Sequence, residues 1–434
     1  MYRTASWLWL VPALLVVGCT EPEVGQGNEY STEIEPQINW QRDIIATDLR
    51  IDLEALQATA VIQLDESESR GASLEVGDLT IQSVRSAAGP VKHRVVDGRL
   101  DVGIESHGHH ELTIDYGLSV HDKLEGFHSS GASFLWPYFC GNLFPCKSDP
   151  ADGLQFDLTL SGLADGTTAV YPAHIAADAP SYMIAWATGD YTELSLGVTE
   201  TGRQVSVFFL PGEEQVAQTG TQDLVAAFDW LESTYGTYLY GDHVGSVSTD
   251  WGPGAFGGME HHPFWHVSSD SMGDRETHVH EAAHGWFGNG VRIACWEDLT
   301  LSEGTVSYLT ARAMEAVRGP AAGAEVWSGY EWRLNNVIEG DDRIAWPQTC
   351  GEIDVYHDLW NGVVYMKGAF FFRAVEQAIG REALDGVIAR FYQAHMGGAA
   401  GVGDMLDAIE ADTGFDPSEL ATGWLQSLGR PDQG

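Results

Sequence analysis

Residues 280–304 read HEAAHGWFGNGVRIACWEDLTLSEG, and the rest of the chain can be understood from this stretch. It begins with His280 and His284, four positions apart. On an α-helix such positions share one face, so both imidazoles point the same way. Glu303 follows near the end of the stretch. Two histidines and a later glutamate are the three-ligand set of a catalytic zinc site, whose fourth position is left for water.

Glu281 lies between the two histidines and therefore close to any metal that they bind. Zn²⁺ lowers the pKa of its water to about 7. A neighbouring carboxylate can take the proton of that water as a general base and later give it to a leaving amine. The alternative interpretation is a solvent-exposed helix with two surface histidines, in which the His-Glu-x-x-His pattern has arisen by chance.

The sequence on either side of Glu303 carries a more specific pattern. Trp-Phe-Gly-Asn occupies residues 286–289, and Asp-Leu-Thr-Leu-Ser-Glu-Gly occupies residues 298–304. Together with the histidine motif, these segments resemble the aminopeptidase N family of zinc metallopeptidases, which are gluzincins and also include leukotriene hydrolases. The resemblance implies one Zn²⁺ per chain on His280, His284 and Glu303. It also implies peptide substrates and a catalytic role for Glu281.

Upstream, Gly257-Gly258-Met259-Glu260 resembles the Gly-x-Met-Glu-Asn exopeptidase motif of that family. The resemblance implies that Gly257, Gly258 and Met259 form an edge strand whose backbone pairs with the substrate. It also implies that Glu260 binds the free N-terminal ammonium through a charge-assisted hydrogen bond. The alternative for Glu260 is an ordinary surface carboxylate at the end of a loop. The final Asn of the motif is replaced by His261, which with its neighbouring histidines is expected to be a packing or surface residue.

Downstream, Tyr365-Met366-Lys367-Gly368 opens a predicted helix and resembles a Tyr-x-Lys-Gly segment of the family. The resemblance implies that the phenol of Tyr365 donates a hydrogen bond to the oxyanion of the tetrahedral intermediate. Such a donor typically contributes about 10²–10³ in rate. Read without the resemblance, Tyr365 is an aromatic residue that packs on the core at the start of a helix.

One departure from the family concerns its second contact to the substrate ammonium. Family members offer a Gln or Glu about ten residues before the cysteine of a Phe-Pro-Cys segment, which here is residues 144–146. Counting back from Cys146 reaches Trp136, in an aromatic run. Either Glu260 acts alone, or Trp136 and its neighbours line the first substrate pocket.

The N-terminus predicts export and lipid attachment. Arg3 precedes an apolar run over residues 5–18, which is too short to span a bilayer and is typical of a signal peptide. The run ends in Leu-Val-Val-Gly before Cys19, which resembles a bacterial lipoprotein cleavage site. We therefore expect a signal peptide at 1–18, followed by an acidic flexible tether at 19–40. We also expect a lipid on Cys19 that anchors the protein in the bacterial cell envelope, at the outer membrane if the source is Gram-negative. An ordinary secretory signal is the alternative.

The charge of the chain limits its partners. The sequence has 63 acidic and 22 basic side chains, a formal net charge of −41. This charge argues against nucleic acid or anionic lipid as a partner and favours a well-solvated surface, with cationic substrates as a further option. No feature of the sequence indicates an oligomeric state.

The patterning predicts two domains in an α+β fold. Residues 41–210 show short alternating segments, typical of an antiparallel β domain. Residues 211–434 change to longer amphipathic segments and indicate a thermolysin-like zinc peptidase catalytic domain, in which a small sheet is followed by helices. The predicted strands are 49–53, 59–64, 79–85, 100–104, 112–116 and 156–160. The predicted helices are 221–235, 303–317, 321–337, 365–379, 382–396, 402–411 and 417–428.

Four cysteines remain when Cys19 is set aside, an even number that suggests disulfides in an exported chain. Three pairings are possible, and the simplest joins Cys140 to Cys146 and Cys295 to Cys350, within each domain. Free buried thiols are the alternative.

The sequence thus favours a zinc-dependent aminopeptidase that hydrolyses N-terminal residues from peptides. A zinc endopeptidase or short-peptide hydrolase of the same fold is the first alternative. A non-catalytic peptide-binding lipoprotein is the second, and it would need neither Glu281 nor Tyr365.

Overall fold

The computed structural model of the chain describes residues 34–252, 256–339, 343–359 and 361–431. The predicted signal peptide (1–18), Cys19 and most of the predicted tether (19–40) lie outside these residues. Within the described part, no helix combines the length and the apolar character that a membrane crossing requires.

The first half of the described chain is built from strands joined by short turns. In chain order they are Ile44–Asp52 (β1), Gln57–Leu64 (β2), Ala72–Glu75 (β3), Thr80–Ser86 (β4), Gly89–Pro90 (β5), His93–Val96 (β6), Arg99–Val102 (β7), His110–Gly117 (β8), Val120–His121 (β9), Gly126–His128 (β10), Ser133–Phe134 (β11), Leu154–Ser161 (β12), Thr168–Val170 (β13), His174–Ala179 (β14) and Ala187–Gly189 (β15).

Seven of these strands form one sheet in the order β14-β12-β1-β2-β8-β4-β5. Alternation fixes which face is buried: in β12, Leu154, Phe156 and Leu158 point into the core, and the residues between them are exposed. The prediction of an antiparallel domain needs correction, because two of its strand pairs are parallel: the short strands β9 and β10, and the long strands β1 and β12. The chain between them makes a long excursion through β2–β11, which gives the crossover that a parallel pair requires.

The second half begins with two further strands and then turns largely helical. Its elements are Thr192–Val198 (β16), Gln204–Phe209 (β17), Glu214–Thr221 (α1), Leu224–Tyr235 (α2), His243–Thr249 (β18), Gly258–Met259 (β19), Phe264–Ser268 (β20), Arg275–Ala283 (α3), Arg292–Ile293 (β21), Thr305–Arg318 (α4), Pro320–Ile338 (α5), Val355–Asp358 (α6), Gly362–Ile379 (α7), Arg381–His395 (α8), Ala399–Ala400 (β22), Val402–Thr413 (α9) and Ser418–Ala421 (α10).

A five-stranded sheet positions the site, with the strand order β16-β17-β18-β20-β19. Its last strand, β19, pairs with β20 on one side, so its other side is a sheet edge. An edge strand presents unpaired backbone N–H and C=O groups to any chain that lies beside it. The first two strands of this sheet precede residue 210, so the predicted domain boundary falls inside the sheet.

Most predicted helices are present, with small differences at their ends. The helices α4 and α7 each end at a glycine with positive φ, Gly319 and Gly380, which lets the chain reverse into α5 and α8. The helix α1 was not predicted. The last predicted helix, 417–428, is shorter: after α10 the chain makes a π turn over Thr422–Gln426. There the carbonyl of Leu425 accepts hydrogen bonds from the backbone N–H groups of residues 345 and 346, which draws it away from helical pairing.

The four cysteines form the two predicted disulfides, Cys140–Cys146 and Cys295–Cys350. The predicted pairing is therefore confirmed. The first closes a short loop beside β3, and the second ties the segment before α6 to the loop that leads to Glu303.

Candidate active site

The helix α3 carries both histidines of the motif. It begins after Asp274, whose side chain accepts a hydrogen bond from the N–H of Glu276 and so caps the first turn. His280 lies in the last turn, and His284 is the residue directly after the helix. Their rings are 4.9 Å apart between centroids, which shows that the four-residue spacing brings both to one face, as predicted.

Three ligand atoms meet at this face. Nε2 of His280 lies 3.2 Å from Oε2 of Glu303 and 3.2 Å from Nε2 of His284, and the third side of the triangle is 3.4 Å. A tetrahedral zinc site with bonds of about 2.0–2.2 Å places its ligand atoms about 3.3–3.6 Å apart. Two imidazole nitrogens and one carboxylate oxygen at this separation suit Zn²⁺ in donor type as well as in spacing.

The chain also orients these ligands. Nδ1 of His284 donates to the backbone carbonyl of Phe287 at 3.0 Å, which leaves Nε2 free to act as a ligand. Burial opposes ionisation of Glu303, but the neighbouring charge of His284 and the hydrogen bonds from both histidines outweigh it, so the pKa of Glu303 is lowered. The carboxylate is therefore ionised and ready to bind a cation.

A close backbone approach brings Glu303 and Tyr365 together. Glu303 lies in a π turn, Thr300–Gly304, directly before α4, and Tyr365 lies in the first turn of α7. A Cβ at Gly304 would stand 2.7 Å from Cα of Gly368, and a Cβ at Gly368 would stand 2.6 Å from Cα of Gly304. Glycine is thus required at both crossing positions, which explains the glycine that ends each of the two motifs.

The phenol of Tyr365 lies over the metal ligands. Its ring stacks on that of His280 with centroids 6.2 Å apart. Burial, assisted by the charges of Glu303 and Glu260, raises the pKa of Tyr365 well above its ordinary value. The hydroxyl therefore keeps its proton and can donate a hydrogen bond.

Glu281 lines the same cavity, which has a volume of about 210 Å³. Its side chain is 6% exposed. Burial raises the pKa of Glu281 well above its ordinary value, and the carboxylates of Glu260 and Glu303 act in the same direction. A carboxyl group with a raised proton affinity beside the metal ligands is suited to proton transfer.

Glu260 is held at the same wall by its backbone. The side-chain amide of Asn289 donates to the carbonyl of Glu260 at 2.7 Å, and the backbone carbonyl of Asn289 accepts from Tyr240 at 2.6 Å. Oxygen atoms of Glu260 and Glu281 and a nitrogen of His284 lie within 4.8 Å of one another. Burial is the main reason that the pKa of Glu260 is raised. A bound ammonium would lower this pKa again, because a neighbouring positive charge favours the ionised carboxylate.

The edge strand runs alongside α3 and gives the cavity a direction. A Cβ at Gly257 would lie 3.6 Å from Thr277, and one at Gly258 would lie 2.5 Å from Glu281. Glu260 then follows near His284, at the end of the helix. The strand therefore passes α3 from its first turn to its C-terminal end, with the buried Glu260 at the end of the path.

Trp136 lines the cavity, as the count back from Cys146 suggested. Its ring packs edge-on against Trp296 at 6.0 Å. Phe256 also lines the cavity and stacks on Phe134 at 6.0 Å. These rings form an apolar wall beside Glu260.

The nearby histidines are buried packing residues. Nε2 of His262 donates to the carbonyl of Glu281 at 2.8 Å, and Nδ1 of His262 accepts from the hydroxyl of Tyr238 at 2.8 Å. Burial lowers the pKa of His262 to about 3, so the ring is neutral. It thus fixes the backbone at Glu281. His261 and His266 contact each other through their Nδ1 atoms at 3.1 Å.

Several residues that shape the site were not singled out from the sequence. Asn289 belongs to the Trp-Phe-Gly-Asn segment, and its polar side chain in an otherwise small and aromatic run is a usable signal. Tyr182, whose hydroxyl donates to the carbonyl of Gly288 at 3.1 Å, joins the N-terminal half to the site and carries no local signal. Glu276 and Arg333, at the far end of the cavity, come together only because α3 and α5 both pack against α4.

Comparison with known proteins agrees with this geometry. Residues 266–424 match the family described as "Peptidase family M1 domain". Probable M1 family aminopeptidase 2 of Encephalitozoon cuniculi is 32% identical over 165 residues, which are 36% of this chain and 18% of that protein. The matched parts span 18–44% of the first four curated relatives. The chain thus spans less than half the length of these relatives.

Two solved structures share the fold. An M1 zinc metallopeptidase from Deinococcus radiodurans superposes with a TM-score of 0.74 at 16% identity, over 90% of this chain and 96% of that one. Yeast LTA4 hydrolase in complex with bestatin gives a TM-score of 0.78 at 20% identity, over 91% of this chain and 69% of that one. The predicted resemblance to this peptidase family is confirmed, and so is the predicted fold class of a β domain followed by an α+β catalytic domain.

Proposed function

We propose that this protein is a zinc-dependent aminopeptidase. One observation carries the proposal: the buried carboxylate of Glu260 lies beside the predicted metal ligands, at the end of a sheet edge whose outer side is unpaired. A peptide that pairs with the edge of β19 and places its N-terminal ammonium on Glu260 brings its first peptide bond next to His280, His284 and Glu303. An internal peptide segment has no charge to offer Glu260, so the endopeptidase alternative is not favoured.

Binding of the substrate follows from the chemistry of the cavity wall. Glu260 accepts charge-assisted hydrogen bonds from the ammonium, and the backbone of Gly257 and Gly258 aligns the extended chain. The apolar wall of Trp136 and Phe256 receives the first side chain.

Hydrolysis then needs a nucleophile, a base and a site for negative charge. His280, His284 and Glu303 would hold one Zn²⁺, which would supply a Lewis acid that makes water more acidic. Glu281 takes a proton from the attacking water while the oxygen of that water bonds to the carbonyl carbon of the substrate. Tyr365 donates a hydrogen bond to the carbonyl oxygen as charge develops on it. Glu281 then gives its proton to the leaving nitrogen, and the C–N bond breaks.

Removal and return of the metal test this proposal. The purified protein should contain about one zinc ion per chain by elemental analysis. Hydrolysis of a peptide such as Leu-Gly-Gly should be lost with a chelator and restored by added Zn²⁺. Stable hydrolysis in a protein that elemental analysis finds free of metal would contradict it.

We further propose that the chain is exported and attached to a bacterial membrane through a lipid on Cys19, at the outer membrane if the source is Gram-negative. The support is the sequence of residues 3–19. In a bacterial host, a fatty-acid analogue should label the full-length protein and not a Cys19→Ser variant. Release of an unlabelled protein into the medium would instead indicate an ordinary secretory signal.

A further inference from the structure

The cavity continues past the metal ligands to a positive charge. Its wall includes Glu276 and Thr277 of α3, Ser307 of α4, and Tyr330 and Arg333 of α5. Among the described residues that line it, Arg333 is the one arginine or lysine. The remaining ionisable groups of the wall are carboxylates, histidines and tyrosines.

Arg333 lies at the opposite end of the cavity from Glu260. Nη1 of Arg333 contacts Oε1 of Glu276 at 2.8 Å, and Glu276 is one turn before His280 on α3. Glu260 is near His284, one turn after His280. Because the edge strand runs along α3, a peptide bound by its N-terminus at Glu260 extends past the metal ligands towards Thr277 and Arg333.

The guanidinium of Arg333 is held in position, but it has N–H donors left for a ligand. It lies over the ring of Tyr330, 5.4 Å from the ring centroid, and the hydroxyl of Tyr330 donates to the carbonyl of Ser307 at 3.1 Å. The side chain of Arg333 is 46% exposed. Within the described parts of the chain, Glu276 and Tyr330 are its contacts, so most of its five N–H donors face the cavity and solvent.

We infer that Arg333 binds the C-terminal carboxylate of the substrate and that the preferred substrates are therefore short peptides, dipeptides in particular. This rests on the proposed aminopeptidase function. The two ends of the cavity are complementary to a zwitterion: a carboxylate receives the ammonium, and a guanidinium, whose planar fork matches a carboxylate, receives the other end. Arg333 is then a specificity residue, and it takes no part in bond breaking.

Amidation of the substrate isolates this contact. We would measure kcat/KM for Leu-Ala and Leu-Ala-amide, which share the scissile bond and differ in the terminal charge. The native protein should prefer the free acid by about tenfold, the lower range for a hydrogen bond to a charged group at a half-exposed site. In Arg333→Gln this preference should fall to about one, with little change for the amide.

Two further variants give the control and a change of opposite sign. Arg318 is also a half-exposed arginine, with an ion pair to Asp223 and outside this cavity, so Arg318→Gln should keep the native preference. Glu276→Gln removes the carboxylate that competes for Arg333, so the preference for the free acid should rise. The double variant Arg333→Gln/Glu276→Gln removes both charges and should show no preference for the free acid. This result would separate the loss of the Arg333 charge from repulsion of the substrate carboxylate by an unpaired Glu276.

The outcomes distinguish this inference from the function on which it rests. If the native protein cleaves both dipeptides at equal rates, or if Arg333→Gln keeps the preference, the aminopeptidase function holds and the role of Arg333 is refuted. If Leu-Asp-amide is cleaved as fast as Leu-Ala, and much faster than Leu-Ala-amide, the guanidinium accepts a side chain and the assignment to the C-terminus is wrong. If neither dipeptide nor any longer peptide is cleaved, the inference falls with the proposed function.

Discussion

Gly258 and Glu281 lie so close together that a single methyl group would not fit between them. A Cβ built on Gly258 would stand 2.5 Å from both Cγ and Oε1 of Glu281. The edge strand therefore touches the side chain that we assign as the base. This contact fixes both the position of the carboxylate and the depth at which a paired substrate backbone can lie.

Replacement of Gly258 by alanine should displace the Glu281 carboxylate or push the edge strand outwards. We expect kcat to fall by about 10²-fold, as for other small misplacements of a catalytic group. Gly329 of α5 serves as the control, because a Cβ at this position would have open space around it. Gly329→Ala should retain activity and gain up to about 1 kcal/mol of stability, because glycine is unfavourable inside a helix. Equal activity of the two variants would argue against the contact.

Replacement of Glu281 by glutamine should remove the general base and leave the three metal ligands in place. We expect kcat to fall by at least about 10²–10⁴-fold, the usual contribution of a positioned acid or base. The zinc content should stay at the native level in elemental analysis. An exposed acid on α5, Glu325, gives the control Glu325→Gln, which should behave as the native protein. An active Glu281→Gln enzyme would refute the assigned mechanism.

The phenol of Tyr365 can be removed without removing its ring. Tyr365→Phe should keep the stacking on His280 and lose the hydrogen bond to the oxyanion. The expected result is a fall in kcat of about 10²–10³-fold with a small change in KM, since the donor acts mainly in the transition state. Tyr356→Phe, at a 61% exposed position, provides the comparison. A change confined to KM would instead assign Tyr365 to substrate binding.

The two disulfides should differ in their effect on stability. The residues of the Cys295–Cys350 bond are 55 apart in sequence, and those of Cys140–Cys146 are 6 apart. The entropy of loop closure predicts about 4 kcal/mol for the longer loop and about 2 kcal/mol for the shorter one. Paired cysteine-to-alanine variants, compared by urea unfolding, should therefore show the larger loss for Cys295 and Cys350. The reverse order would mean that local packing outweighs loop entropy.

The sequence predicted the metal ligands because their spacing is local. His280 and His284 need one helix, and the family resemblance located Glu303, Tyr365 and Glu260. The alternation of apolar residues located the strands for the same reason: in β12 each buried residue is followed by an exposed one. These features depend on a few neighbouring residues and on elementary geometry.

What escaped prediction depends on contacts between distant elements. The parallel pairing of β1 with β12 is set by topology, and the strands carry no residue that requires it. The ion pair between Arg333 and Glu276 forms because α3 and α5 both pack against α4. The close crossing of Gly304 and Gly368 was present in the sequence as two glycines, but only the fold shows that each one needs the other.

Cleavage of one peptide in two forms, with a free and with an acetylated N-terminus, tests the central claim most directly. Products would be identified by mass spectrometry, with and without a chelator. Our account predicts that single residues are released only from the free form and that the chelator abolishes the release, because the acetylated end carries no charge for Glu260. Internal cleavage of both forms would contradict it and would show that Glu260 does not select the N-terminus.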